Sequence, residues 1–442
     1  MKIMKKYSFY SLCVLVLLFQ SSCLFQEDEK FNESAAQRMN HALAETEVLL
    51  ADASNGWIME YFPANDKEGY TFLMKFTSDG KVVVATKNKY TRNYTEEAGV
   101  WEMIGDNGPV LSFNTFINIF HIFADPRVPG QDFYDGMGLG GDYEFMVLQN
   151  EANRIRLKGK KRATDIILKR MAADQNWEEY FTKLEQMEAQ LFNSKLAVTW
   201  TLGSEEPVYD LNDGFSRIFR ATPLNAEEIT LENDEIELDF NVPFIVTDYG
   251  FRLAQPLKVG DVLVQSFRLS ENKDYLYAEE NANIKITGVP VISTFLDESI
   301  WTAGISWTMN RNNVSDAFSS VYEKIINNCK EKYDENFNYF ALKNRIDRGS
   351  KSVSFQSGRY EGGYDFDIKL ESGTADRVVL INKNTMDNNG NVYLSNVVGF
   401  AEMLDLLSST SYTLSSETPL CPTVVKFVST TDNNKWFILT AN

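Results

Sequence analysis

The sequence predicts an α+β fold built predominantly of antiparallel β sheets, in curved meanders or partial barrels, with a few packing helices. Two observations carry that prediction. Short runs rich in Val, Ile, Phe, Tyr and Trp follow one another with Gly, Asp and Asn between them, which is the grammar of strands joined by turns. Segments with apolar residues at helical spacing are few, and two of them lead directly into such a series of strands. At 442 residues the chain exceeds the usual size of a single core, so two or more domains are expected, and 13% aromatic residues supply apolar area to fill them.

In chain order, NESAAQRMNHALAETEVLLADA (Asn32 to Ala53) is rich in Ala, Leu, Glu and Met at helical spacing and is stopped by Asn55-Gly56. GWIMEYF, YTFLMKF and KVVVATK follow as strands, the last two joined at Ser78-Asp79-Gly80-Lys81 in the manner of a hairpin. GVWEMI, VLSFN, YEFMVLQ, RIRLKG and TDIILKR extend the series to Arg170, interrupted by a Gly-, Pro- and Asp-rich loop from Ala124 to Gly141. Asp174 to Lys195 reads as a helix, with Trp177, Phe181, Leu184 and Leu191 on one side. These residues, 32–195, form an N-terminal domain that ends in a junction helix.

A middle β region, 196–314, contains KLAVTWTL, FSRIFRA, IELDFNV, YGFRLAQ and VLVQSFRL. Alternation in DEIELDF sets Glu235, Glu237 and Asp239 against Ile236, Leu238 and Phe240; the apolar side belongs to a core, and the acidic side is read as a solvated face, with cation contact or acid–base chemistry as the alternatives. Residues 315–442 form a C-terminal helix plus antiparallel β region, possible as one domain with the middle region. Its helix, DAFSSVYEKIINNCKEKYDENF, precedes FNYFALKN, SVSFQS, GGYDFDIKL and RVVLINK. Asn388 to Asn391 reads as a tight turn that fails the calcium-loop pattern, Gly399 to Ser409 as a short helix, and TVVKFVST with KWFILTA as a closing hairpin. GYTFLMKFTSDGKVVV and GYDFDIKLESGTADRVVL share Gly-Tyr-x-Phe and a lysine at the same offset. Internal duplication and common strand grammar both account for that.

The N-terminus carries the clearest functional signal. Lys2, Lys5 and Lys6 precede the apolar run Ser8 to Phe19, which is of h-region length and shorter than the roughly 20 residues that span a bilayer. Residues 1–22 are therefore read as a signal peptide. QSSC, Gln20 to Cys23, resembles a bacterial lipobox, with Gln20 where the commonest pattern has Leu, and that resemblance implies lipid attachment at Cys23. Residues 23–31, with Glu27, Asp28 and Glu29, form an acidic tether.

Removing residues 1–22 takes away three of the 43 basic residues and none of the 62 acidic ones, leaving a formal charge of -22. Such a chain repels phosphate backbones, and KGKKR (Lys158 to Arg162) is too isolated to form a basic face, so nucleic acid is not a partner. Cys329 and Cys421 are the cysteines left after Cys13 and Cys23, and spacing does not decide whether they pair. With only His41 and His121, both read as packing or surface residues, zinc sites and histidine bases have little to draw on, and no metal, cofactor or catalytic residue is assigned. GMGLGG (Gly136 to Gly141) lacks the strand and long helix of a dinucleotide loop and reads as a surface loop.

Aromatic residues remain the candidates for ligand contact. Trp301 and Trp307, six apart in WTAGISWTM, would share one side of an extended strand and offer a platform to a sugar or peptide beside Asn310, Arg311, Asn312 and Asn313. Burial in a core explains them equally.

Taken together, QSSC, AETEVLLADASNGWIMEYFP, GYTFLMKFTSDGKVVV and SVSFQSGRYEGGYDFDIKL resemble a cell-envelope lipoprotein family of the Bacteroidetes, described only as a domain of unknown function. The resemblance implies an outer-membrane, lipid-anchored protein at the cell surface, with the periplasmic face as the alternative. It implies an accessory role in nutrient uptake or adhesion near outer-membrane transporter components, and no catalytic residue. The expected activity is non-enzymatic binding of an extracellular glycan or peptide. The alternatives are a protein–protein interaction module of an envelope complex and a carboxylate-dependent glycoside hydrolase.

Overall fold

The structure is a computed structural model that describes residues 33–127, 138–191, 199–202, 208–210, 218–222, 240–287, 292–301, 305–345, 349–372, 374 and 376–442. Its strands form three closed, antiparallel, eight-stranded barrels in sequence order. Barrel 1 comprises β1 (Trp57–Tyr61), β2 (Tyr70–Phe76), β3 (Lys81–Thr86), β4 (Thr95–Asp106), β5 (Gly108–Phe113), β6 (Glu144–Glu151), β7 (Arg154–Gly159) and β8 (Asp165–Arg170). Barrel 2 comprises β9 (Thr199–Leu202), β10 (Val208–Asp210), β11 (Ile218–Thr222), β12 (Phe240–Thr247), β13 (Gly250–Val259), β14 (Val262–Leu269), β15 (Tyr275–Ala278) and β16 (Lys285–Thr287). Barrel 3 comprises β17 (Ser306–Val314), β18 (Phe337–Arg345), β19 (Ser350–Ser357), β20 (Tyr360–Leu370), β21 (Arg377–Met386), β22 (Ser411–Ser415), β23 (Val424–Ser429) and β24 (Trp436–Ala441). In each barrel the first strand pairs with the last, which removes the sheet edges that an open meander would leave.

Seven helices are described: α1 (Ala35–Ala51), α2 (Asn118–His121), α3 (Trp177–Leu191), α4 (Ile292–Ile300), α5 (Asp316–Tyr333), α6 (Asn388–Asn396) and α7 (Phe400–Ser408). Ser34 starts α1 with a capping box: its hydroxyl accepts from the Gln37 N–H at 3.3 Å, and the Gln37 side chain accepts from the Ser34 N–H at 3.0 Å. Gly56 ends the turn after α1 at φ +82, where a Cβ would lie 2.4 Å from the Met74 carbonyl oxygen, so only glycine fits.

Period-two alternation fills barrel 1 from its own strands. Trp57, Met59 and Tyr61 on β1 and Phe72, Met74 and Phe76 on β2 point into one core with Leu111, Phe113, Phe145, Leu157 and Leu168. The Tyr61 hydroxyl is satisfied there by the Asp142 backbone, donating to its carbonyl at 3.1 Å and accepting from its N–H at 3.0 Å. The intervening residues Leu73 and Ala85 are also buried, beneath Tyr180 and Phe181 of α3. That second burial is why YTFLMKF reads as continuously apolar rather than alternating.

Barrel 3 takes more of its filling from helices. Phe340, Phe355 and Tyr364 pack against Phe400 of α7, with the Phe355 and Phe400 ring centroids 4.9 Å apart. At another position α4 contacts the non-adjacent strands β18, β20 and β22, and so spans the barrel mouth with Phe295, Leu296 and Ile300 buried.

Barrels 1 and 2 meet through a buried ionic cluster. Glu60 on β1 and Arg252 on β13 are 2% and 1% exposed and paired, and Lys169 reaches Glu60 at 2.7 Å. Burial alone raises the Glu60 pKa, but Arg252 and Lys169 outweigh it and hold the carboxyl below its ordinary range. Beside this cluster the Gly69 N–H donates to the Phe244 carbonyl at 3.1 Å, and a Cβ on Gly69 would stand 2.5 Å from that of Ile245.

Several expectations change. Ser306–Val314 pairs with β18 and β24 and belongs to barrel 3, so a boundary at 314 cuts a strand from its sheet. Asn388 to Asn391 opens α6 rather than a turn, because Asp387 caps it by accepting from the Gly390 N–H at 2.7 Å. The two Gly-Tyr-x-Phe segments occupy the second strand of barrel 1 and the fourth of barrel 3, non-equivalent places that common strand grammar explains without duplication. Gly138 to Gly141 packs against the barrel 1 mouth, Leu139 being buried and the Gly141 N–H donating to the Phe123 carbonyl at 2.7 Å.

Candidate functional site

The two tryptophans do not form a platform. Trp307 is completely buried beneath α4, its indole N–H donating to the Ser299 hydroxyl at 2.9 Å and its ring edge-on to Phe295. Trp301 is 46% exposed at the end of α4, not on a strand, with the Lys351 ammonium 5.4 Å from its ring. The correction has a simple cause: the chain turns from helix to strand between them, so strand spacing does not apply. Cys23 and the acidic set Glu235, Glu237 and Asp239 lie outside the described residues. Cys329 and Cys421 are two buried thiols in the core.

Exposed aromatic surface gathers instead at the mouth of barrel 1. In TFINIFHIF, Ile117, Ile119, Phe120 and Phe123 drop into the core, where Phe120 meets Phe72 at 5.1 Å and Phe113 at 5.0 Å. Phe116 is left outside, 69% exposed, and Tyr143, just before β6, is 46% exposed. His121 lies between them. Its ring centroid is 5.3 Å from that of Phe116 and 5.4 Å from that of Tyr143, with interplanar angles of 34° and 33°. Three rings thus form a shelf whose two outer members face solvent.

The shelf is held from below. His121 Nδ1 lies 3.0 Å from the Ile117 N and 3.1 Å from the Ile117 carbonyl oxygen, so the backbone of Ile117 fixes the ring. Burial lowers the His121 pKa, against the Ile117 and Phe113 carbonyls, so the imidazole stays neutral as part of an apolar stack. The Ile119 N–H donates to Glu97 at 3.3 Å and the Thr115 hydroxyl accepts from Val100 at 2.8 Å, tying the short α2 segment to β4. Polar groups stand at the border, where Lys160 bridges Glu144 at 3.0 Å and Asp106 at 3.2 Å. Sequence reading took His121 as a packing or surface residue and did not single out Phe116 or Tyr143. The only signal was a run too continuously apolar for either strand or helix, which leaves a residue over when it folds.

The carboxyl with the clearest upward pKa shift is structural. Burial raises Asp142, yet its oxygens accept from the Lys161 and Arg162 N–H groups and close the turn from β7 to β8.

Closed antiparallel barrels with side-chain-filled cores define the class of β protein to which this chain belongs. Within it, residues 27–271, more than half of the chain, match the family described as a domain of unknown function, DUF4302, and the chain belongs to that family. The match ends within barrel 2, just past β14, and barrel 3 lies beyond it. No curated protein matches. Among solved structures, a tryptophan-to-alanine variant of transferrin binding protein B, a vaccine antigen from Haemophilus parasuis Hp5, is similar at 9% identity and a TM-score of 0.14 over 85% of this chain and 65% of that one. A likeness at that level carries no argument.

Proposed function

We propose that the protein is a lipoprotein anchored in the outer membrane through Cys23, displayed at the cell surface, and that it binds an extracellular glycan without turning it over. The observation that carries the binding reading is the Phe116–His121–Tyr143 shelf, because sugar rings present apolar C–H faces that stack on exposed aromatic rings. The basic head, apolar run and QSSC support the anchor, and multiple acyl chains at about 0.8 kcal/mol per methylene would make it permanent.

A glycan screen on protein lacking residues 1–23, with product analysis on each hit, tests this. Saturable binding without product is expected, and Phe116→Ala with Tyr143→Ala should abolish it while the fold is retained. Product formation would establish the glycosidase alternative. Mass analysis of the native N-terminal peptide tests the anchor, and an unmodified Cys23 would refute it.

A second reading, contact with an envelope partner such as an outer-membrane transporter component, is favoured by one feature. β21 pairs with β22 only through Arg377, Val378 and Val379, and an open groove of about 530 Å³ runs between its remainder and α7, past Ile381, Leu394 and Leu404.

A further inference from the structure

Barrel 1, α3 and barrel 2 enclose a second concavity, of about 300 Å³, with none of the shelf residues among its described lining. Its walls differ in charge. The turn from β3 to β4 contributes Lys87, Lys89 and Arg92, and α3 contributes Glu185 and Glu188 opposite; Phe181, Leu184 and Val246 of barrel 2 supply apolar surface.

The cationic wall is concentrated and fixed. Lys81 to Tyr94 carries four cations and no carboxylate, in a chain of net charge -19. Asn88 holds the turn: its side-chain oxygen accepts from the Tyr90 and Thr91 N–H groups at 2.9 Å each, and its amide donates at 3.1 Å to Thr86, which is fully buried. Two of the three cations are already matched, Lys87 with Glu185 and Lys89 with Glu68, and Glu68 also accepts from the Tyr70 hydroxyl at 2.6 Å. Arg92 is exposed and has no carboxylate partner among the described residues.

We propose that this cavity binds a single acidic sugar unit, a uronate, with its carboxylate on Arg92 and Lys89 and its hydroxyls donating to the carboxylates of α3. A planar guanidinium accepts a carboxylate through two parallel N–H···O bonds, a fit that a neutral hexose does not use. Phosphate would bring a second negative charge towards Glu185 and Glu188, which a uronate does not. The volume lies at the lower end for small-ligand pockets, about 300 Å³, and suits one sugar ring. This site is independent of the aromatic shelf.

Calorimetric titration of the full-length protein in detergent with glucuronate, glucose, glutamate and inorganic phosphate tests it. Glucuronate should bind saturably and more weakly at high salt, and Arg92→Gln, an exposed change that leaves the core intact, should weaken it roughly ten- to hundredfold, as expected for a lost charge-assisted bond. The Phe116→Ala, Tyr143→Ala variant should bind glucuronate as the wild type does. Absence of saturable glucuronate binding, an unaffected Arg92→Gln variant, or equal or tighter binding of glucose, glutamate or phosphate would each overturn the proposal. Loss of binding in the shelf variant would show that the two sites are not independent and would overturn it as well.

Discussion

Barrels 1 and 3 share an eight-stranded closed meander but fill and close it differently. Barrel 1 fills its lumen mainly with aromatics from its own strands, helped by Leu50 and Ala53 at the end of α1, and is covered at its mouth by the single turn of α2 and by Leu139. Barrel 3 draws on α4 across one opening and on α5, α6 and α7 elsewhere, so part of its core comes from segments between strands. The difference teaches where function can sit. A barrel closed by a short segment leaves aromatic side chains over for its outer surface, and Phe116 and Tyr143 are those side chains, whereas in barrel 3 the ring that looked available, Trp307, is consumed by closure.

Removing the Trp307 ring should have the largest effect. Trp307→Ala should cost about 3–5 kcal/mol, the range for a buried aromatic, and lower the unfolding midpoint in urea. Trp301→Ala should cost no more than about 1 kcal/mol, the value of an exposed cation–π contact with Lys351. Equal effects would mean that α4 does not close barrel 3.

The joint between barrels 1 and 2 comes next. Glu60→Gln leaves Arg252 charged and buried with only Asp165, 3.8 Å away, as counter-ion and should cost about 3 kcal/mol, whereas Glu60→Leu with Arg252→Met should recover much of that loss. Hydrogen exchange read by mass spectrometry should place the largest loss in barrels 1 and 2, ahead of barrel 3, whose core is continuous with that of barrel 2. A loss spread evenly over all three barrels would contradict separate closure.

Acid sharpens the comparison with a smaller effect. His121 has a lowered folded-state pKa, so the unfolded chain takes up its proton first. The stability it contributes is complete above about pH 6.5 and declines below it, at no more than about 1.4 kcal/mol per pH unit. Glu60 is also lowered, but as a carboxylate its contribution is present above about pH 4.3 and is lost only as pH falls through its still lower folded value. Thermal unfolding between pH 7.5 and 5.5 should therefore weaken barrel 1 most, since residues 199–442, which form barrels 2 and 3, contain no histidine. His121→Phe should flatten that slope, and a slope that persists in the variant would assign it to another group.

Much of barrel 1 was legible because its strands obey local rules. All eight appear as separate apolar runs with turn residues between them, and the Asp79-Gly80 hairpin sits where it is read. The weaker elements were not legible. β10, β15, β16 and β22 are short and lack a long alternating run, and α4, ISTFLDESI, is too apolar and too brief to declare its period. Of the candidate site, the histidine was read only as a packing or surface residue and its two exposed neighbours were not read at all, since Phe116 and Tyr143 are 27 residues apart and meet His121 only across the barrel mouth.

Local chemistry in the sequence was enough for most of the strand and helix types and for the antiparallel class. These depend on periods, caps and composition within a few residues, where side-chain direction and charge act directly. Tertiary structure alone decided that each meander closes, that Trp307 is core and Phe116 is surface, and that Glu60 finds Arg252 across 192 residues. Closure depends on summed twist and register over eight strands, and exposure depends on which distant segment covers a ring, neither of which any single stretch of chain contains.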